Sequence, residues 1–165
     1  MILTGKNVDK LLSTLLYIVL VGLVAWGGIR IINYSLETRF YNDFLMKWDV
    51  AIISWSAKKG VWPHFSGGNH IEYMDNLVST MSLNSVKPPR SNTKRSYVYR
   101  LKKIGPPAED VFLLCFPDKI ILYGISSDTF IRIDTFIDGK HNENAGRFTG
   151  RPGRNGKTFI GLWRL

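Results

Sequence analysis

Residues 11–29 read LLSTLLYIVLVGLVAWGGI, nineteen positions without a charge, closed by Lys10 on one side and Arg30 on the other. At about 1.5 Å per residue in a helix, such a run reaches roughly the thickness of a bilayer's hydrocarbon core. A cleaved secretory signal has a shorter apolar core and small residues at its cleavage point. Here the segment from Ala25 to Arg30 carries Trp26, so the sequence reads as a retained anchor. Lys6 and Lys10 precede the run, which places the amino terminus on the cytoplasmic side by the positive-inside rule. This divides the chain into a polar leader at 1–10, a transmembrane helix at 11–30 and a globular region at 31–165.

Beyond the anchor the apolar pattern continues in another form. Ile32, Leu36, Phe40, Phe44, Trp48, Ile52 and Trp55 recur every three or four residues, with Glu37, Arg39, Asp43, Lys47 and Asp49 between them. That spacing predicts an amphipathic helix over about 31–57. Proline is absent from 11 to 57, so one helix is expected to run through the membrane and out of it, with its soft point at Gly27-Gly28. Lys58-Lys59-Gly60 is a stop signal: cations at the negative end of the helix, then a residue free to turn left-handed. A short helix over Ile71–Leu83 follows.

After the breaker Lys87-Pro88-Pro89-Arg90 the period becomes that of strands. Tyr97–Leu101, Val111–Phe116 and Lys119–Gly124 are expected strands, the last two joined at Pro117-Asp118 as a hairpin. Phe130–Ile137 alternates Ile131, Ile133 and Ile137 with Arg132 and Asp134 and is read as a further strand. Lys157–Leu165 closes the sheet. The expected fold is α+β, a long N-terminal helix packed on a small antiparallel sheet over about 96–165. Between the last two strands, Asp138–Gly156 holds five glycines and reads as a long flexible loop.

Lys and Arg number 22 against 13 Asp and Glu, a formal charge of +9, which suits anionic lipid, an acidic protein face or nucleic acid. The stretch from Lys87 to Lys103 is acid-free and contains Tyr97 and Tyr99, as a stacking groove for nucleic acid would. Tyrosine is equally at home on a strand, and a basic face beside lipid or an acidic partner accounts for the charge better. Arg147, Arg151 and Arg154 in the glycine-rich loop are the candidate partner-binding residues. Asp134, Asp138 and Glu143 are candidate Ca²⁺ ligands, although their spacing matches no EF-hand; the alternative is that they offset the basic loop. Phosphate-loop, His-Glu-x-x-His and Gly-x-Ser-x-Gly motifs are all absent, and the chain is read as a non-enzyme without a cofactor. Cys115, the single cysteine, lies in Phe-Leu-Leu-Cys-Phe and reads as an inert core thiol.

The short leader with Gly5, the apolar helix that turns amphipathic, and Ala57-Lys-Lys-Gly-Val-Trp-Pro63 together resemble the type IV pilin and type II secretion pseudopilin family. Ile133-Asp134-Thr-Phe-Ile-Asp138-Gly139, followed by Gly146-Arg147, resembles a recurrent pseudopilin segment near the C-terminal end. Lys6 and Lys10 stand where that family carries a hydrophobic residue and a glutamate. The resemblance implies a structural subunit in a bacterial inner membrane with its domain in the periplasm or outside the cell. It also implies leader processing between Gly5 and Lys6, helix assembly through Leu15, Ile18, Val19 and Gly22, and other pilin-like subunits or secretion-apparatus proteins as partners. The other reading of the same features is a bitopic accessory protein of a secretion or conjugation complex, holding a protein partner on its basic domain.

Overall fold

A computed structural model describes residues 5–142, 144–154 and 156–165. Its first feature is one unbroken helical rod. Helix α1 spans Gly5–Arg39, a π-helical segment follows at Phe40–Leu45, and α2 continues through Met46–Ala57. The 50 residues from Val8 to Ala57 extend about 75 Å. The rod passes regularly through Gly27-Gly28, so the expected soft point is not there. The departure from α geometry comes at Phe40–Leu45, where the wider turn brings Phe40, Tyr41, Phe44 and Leu45 all into the core. The rod stops where the sequence predicts, but the left-handed residue is Lys59, at φ 53, and not Gly60; the Gly60 N–H donates to the Trp55 carbonyl (3.1 Å), and the Trp55 ring fills the space a Cβ at 60 would need.

Helix α3 (His70–Leu83) buries Tyr73, Met74, Leu77 and Met81 along one side. Five antiparallel strands follow, β1 (Val98–Leu101), β2 (Glu109–Cys115), β3 (Lys119–Ile125), β4 (Phe148–Pro152) and β5 (Phe159–Arg164), in the order β1-β2-β3-β5-β4. The hairpin at Pro117-Asp118 pairs Cys115 with Ile120 and Phe112 with Tyr123. The sheet presents Tyr99, Val111, Leu113, Ile120, Leu122, Phe148 and Trp163 to one face, by its register. Against that face lie Phe40 and Phe44, whose rings are 5.1 and 4.9 Å from Tyr99. Trp48, Ile52 and Trp55 complete the core, and the Trp48 indole donates to the Ser96 carbonyl (3.1 Å) just ahead of β1. The α+β architecture is therefore as expected.

Two further local expectations fail. Phe130–Ile137 is no strand: it lies within helix α4, Ser127–Asp138. The Ser126 side chain caps its start by accepting from the Thr129 N–H (3.2 Å), and Gly139 closes its end at φ 78. Phe130, Ile133 and Asp134 are buried at helical spacing, whereas Ile131, on which the alternation depended, faces outward. Nor is Asp138–Gly156 a free loop throughout, because Phe148–Pro152 is an edge strand on β5. The Asp138 carboxylate draws the chain back by accepting from the N–H groups of Arg147 (3.0 Å) and Phe148 (2.9 Å). Gly150 is needed on that strand because the Phe130 ring occupies the space of any Cβ there.

Candidate functional site

Two surfaces and the junction between them stand out. The first surface is the bare half of the rod. Leu11, Leu15, Leu16, Ile18, Val19, Leu23 and Val24 are all exposed, and the most apolar window there has a mean hydropathy of 2.2 with none of it buried. Among the described residues, one helix is thus long and apolar enough to cross a membrane. Leu15, Ile18 and Val19 point away from the rest of the protein, and a Cβ on Gly22 would meet no described atom within 4 Å. The fold leaves these expected assembly residues free, together with every other side of the same helix. Gly5 begins the helix. At the far end of the apolar run the Arg30 guanidinium lies 4.2 Å from the Trp26 ring centroid, and Tyr34 is exposed. Aromatic and cationic side chains of this kind suit a membrane–water boundary.

The junction between rod and domain is an ionic network that the sequence did not reveal. Glu37, only 2% exposed, is held by Arg132 of α4 and by Lys103 (3.5 Å). Lys103 also reaches Glu109 (3.1 Å) and donates to the Thr129 hydroxyl (3.0 Å). Glu109 in turn accepts from the N–H and hydroxyl of Ser126 (both 2.9 Å) and from the Thr129 hydroxyl (2.9 Å). Two acids and two bases are thereby neutralised, and α1, β2 and the start of α4 are locked together. Buried charges persist only when paired and hydrogen-bonded in this way. Positions 37, 103, 109, 126, 129 and 132 share no spacing rule, so only the folded chain brings them together. One helical turn before Glu37, the Asn33 side chain makes a two-way bond to the backbone of Ile104, accepting from its N–H (2.7 Å) and donating to its carbonyl (3.1 Å).

The second surface is a groove of about 400 Å³ on the sheet face opposite the rod. Ile121, Tyr123, Ile160 and Leu162 form its half-buried floor, and Asn144, Thr149, Arg151 and Arg164 line its sides. Burial raises the Tyr123 hydroxyl above its ordinary pKa, and the nearby Arg151 partly offsets this. The three arginines expected to act together diverge. Arg151 lines the groove, Arg154 sits in the turn beyond β4, and the Arg147 guanidinium donates to the Arg164 carbonyl (3.3 Å). Arg164 is the groove cation that the sequence reading missed. Its alternation with Ile160 and Leu162 on β5 was the available signal.

Asp134 and Asp138 both serve their own loop. Buried Asp134 accepts from the Asn142 N–H (2.6 Å) and contacts the His141 Nδ1 (2.7 Å) with the same oxygen, while Asp138 holds the Arg147 and Phe148 amides. Glu143, the third expected Ca²⁺ ligand, lies outside the described residues. Among the described residues no group of three or more His, Cys, Asp or Glu side chains is placed to hold a metal. The tyrosines of the basic stretch are not stacking platforms: Tyr97 is buried with its hydroxyl on Asp75 (2.7 Å), and Tyr99 packs on Phe40 and Phe44. Arg100 pairs with Asp110 at the surface (2.6 Å), and that bond holds the Asp110 carboxyl below its ordinary pKa. Cys115 is fully buried, and burial pushes its thiol well above the usual range, which makes it unreactive. No family model matches the chain, and neither does any curated protein or solved structure.

Proposed function

We propose that this chain is a pilin-like structural subunit, anchored by a single membrane span over residues 11–29, with its domain beyond residue 30 outside the cytoplasm. The observation that carries this reading is the rod itself: one continuous helix whose first half is bare and apolar and whose second half is the spine of a sheet domain. Such a helix has two uses for its bare half, lipid and the corresponding helices of neighbouring subunits. Gly22, with open space around it, permits close approach of a second helix beside Leu15, Ile18 and Val19. Ile18→Cys and Gly22→Cys, each alone and oxidised in native membranes, are expected to give cross-linked dimers, and the doubly substituted chain longer ladders. The mass of the membrane-isolated protein shows in the same preparation whether the leader ends at Gly5. Absence of any cross-link at either site, with the protein still in the membrane, would overturn assembly through this face.

The second reading is a discrete bitopic accessory protein of a secretion or conjugation complex. One observation favours it: the sheet groove pairs an apolar floor with Arg151 and Arg164, which suits an acidic segment carrying apolar side chains. Recovery in a multi-subunit fibre supports the first reading, and recovery as a discrete membrane complex supports the second.

A further inference from the structure

We infer that the loop from Lys102 to Ala108 is a second membrane contact, lying in the lipid headgroup layer beside the anchor; this rests on the reading of residues 11–29 as a span. The loop between β1 and β2 is fixed in height by two successive bonds to the rod. Ile104 is held on both sides of its peptide by Asn33, and Lys103 is held by Glu37 one turn farther on. Asn33 lies four residues beyond Ile29, where the apolar run ends, so the loop is fastened about 6 Å above that level. The headgroup layer on each side of a bilayer occupies roughly 5–7 Å beyond the hydrocarbon. The loop's attachment point and the headgroups therefore share one level.

Its composition fits that layer and explains little otherwise. Ile104 is 44% exposed, and Gly105, Pro106, Pro107 and Ala108 are exposed as well. Between the buried ion-paired Lys103 and Glu109, no residue carries a charge. Pro106 and Pro107 have no backbone N–H, so placing them in a less polar medium strands fewer donors. The one outward charge, Lys102, is a cation, the sign that anionic headgroups attract. Trp26, Arg30 and Tyr34 mark the same boundary on the rod. A domain attached through the helix alone could pivot, whereas a second contact beside it fixes the domain's tilt against the membrane.

The test uses the full chain in vesicles of mixed phosphatidylcholine and phosphatidylglycerol. An environment-sensitive dye is attached at Ile104→Cys, at Leu20→Cys within the span, and at Lys58→Cys at the distal end of the rod. Cys115 is buried, and the unsubstituted chain supplies its background. Lipids carrying a nitroxide near the headgroup are expected to quench the dye at 104 several-fold more than at 58. Adding Asn33→Ala, which removes the tie at Ile104 itself and leaves that at Lys103, should reduce quenching at 104 and leave that at 20 unchanged. If 20 is protected by lipid while 104 behaves as 58 does, the anchor reading stands and this inference is overturned. If 20 also behaves as a water-exposed site, the span itself fails, and the inference with it.

Discussion

The two halves of the long helix share a backbone and differ in what surrounds them. From Val8 to Ile32 large apolar side chains are exposed in every direction, whereas from Phe40 to Trp55 a stripe of Phe, Trp, Leu and Ile is buried on one side. The first half has no core to face, so its sequence has no polar face. The second half separates core from water, with Asn42, Asp43 and Lys47 on its outer side, although Val50 and Ile53 are exposed there as well. The comparison teaches that one helical backbone can run through both halves, while the difference in what each half faces is written in the side chains. The π segment lies where one environment gives way to the other, and it widens the rod just where the helix starts to serve as a core element.

The strongest way to break this comparison is to separate the halves. Without residues 1–30 the chain is expected to be soluble and folded, because the remaining rod keeps its buried stripe and the ionic network. The intact protein should stay with membranes in alkaline carbonate, and the shortened one should leave them. Loss of the cooperative melt in the shortened protein would mean that the bare half contributes to the fold. The next largest effect is expected at Trp48, which is fully buried and bonded to Ser96. Trp48→Ala should cost about 3–5 kcal/mol. Leu16→Ala, on the bare half, should change the stability by less than about 0.5 kcal/mol, both measured by denaturant unfolding in mild detergent. Equal costs would abolish the distinction.

Between the halves, Lys103→Ala leaves Glu37 and Glu109 buried with fewer counter-charges. It should cost roughly 3 kcal/mol, since removing one partner of a buried pair strands the others. Replacing Glu37, Lys103 and Glu109 together with apolar residues should recover much of that loss. If the triple replacement is worse than Lys103→Ala, the network does more than balance charge. A double-mutant cycle between Glu37→Gln and Lys103→Ala measures the coupling directly.

Legibility followed the range of the forces involved. The rod, its stop at Lys58-Lys59-Gly60 and four of the five strands were readable, because each is governed by neighbours a few residues away. Helix α4 reads as a strand because Ile131, Ile133 and Ile137 alternate, while Phe130, Ile133 and Asp134 carry the true helical face. The Ser126 and Gly139 caps were the local evidence for a helix and outweigh a short alternation. Strand β4 was hidden among glycines, since its pairing with β5 depends on Asp138 turning the chain back. The ionic junction, and Asn33 with Ile104, depend on contacts across many tens of residues, which no local pattern carries. Of the candidate site residues, Arg151 reached a shared groove, while Arg147 and Arg154 went elsewhere.

A smaller effect than that of the network concerns the one acid buried on α2. Asp49 is 8% exposed, and its Oδ1 has no hydrogen-bond partner among the described residues. Burial raises its pKa above the ordinary 3.8, and the positive charge of Arg147 pulls part of the way back. An acid whose folded pKa is raised favours the protonated form in the native state. Its ionisation therefore destabilises the fold, with no penalty below 3.8 and the full penalty once the pH exceeds the raised value. Asp49→Asn should consequently stabilise the protein at neutral pH, by about 1 kcal/mol at most for one poorly satisfied buried group. That gain should shrink as the pH falls through the acid range. Arg147→Ala should act in the opposite sense, lowering neutral-pH stability, and its effect should largely vanish in the Asp49→Asn background. Thermal melts of the four proteins across pH separate this structural role of Arg147 from partner binding. If Arg147→Ala costs the same with or without Asp49, the arginine's contribution lies in its bond to the Arg164 carbonyl, and Asp49 tolerates its burial unaided.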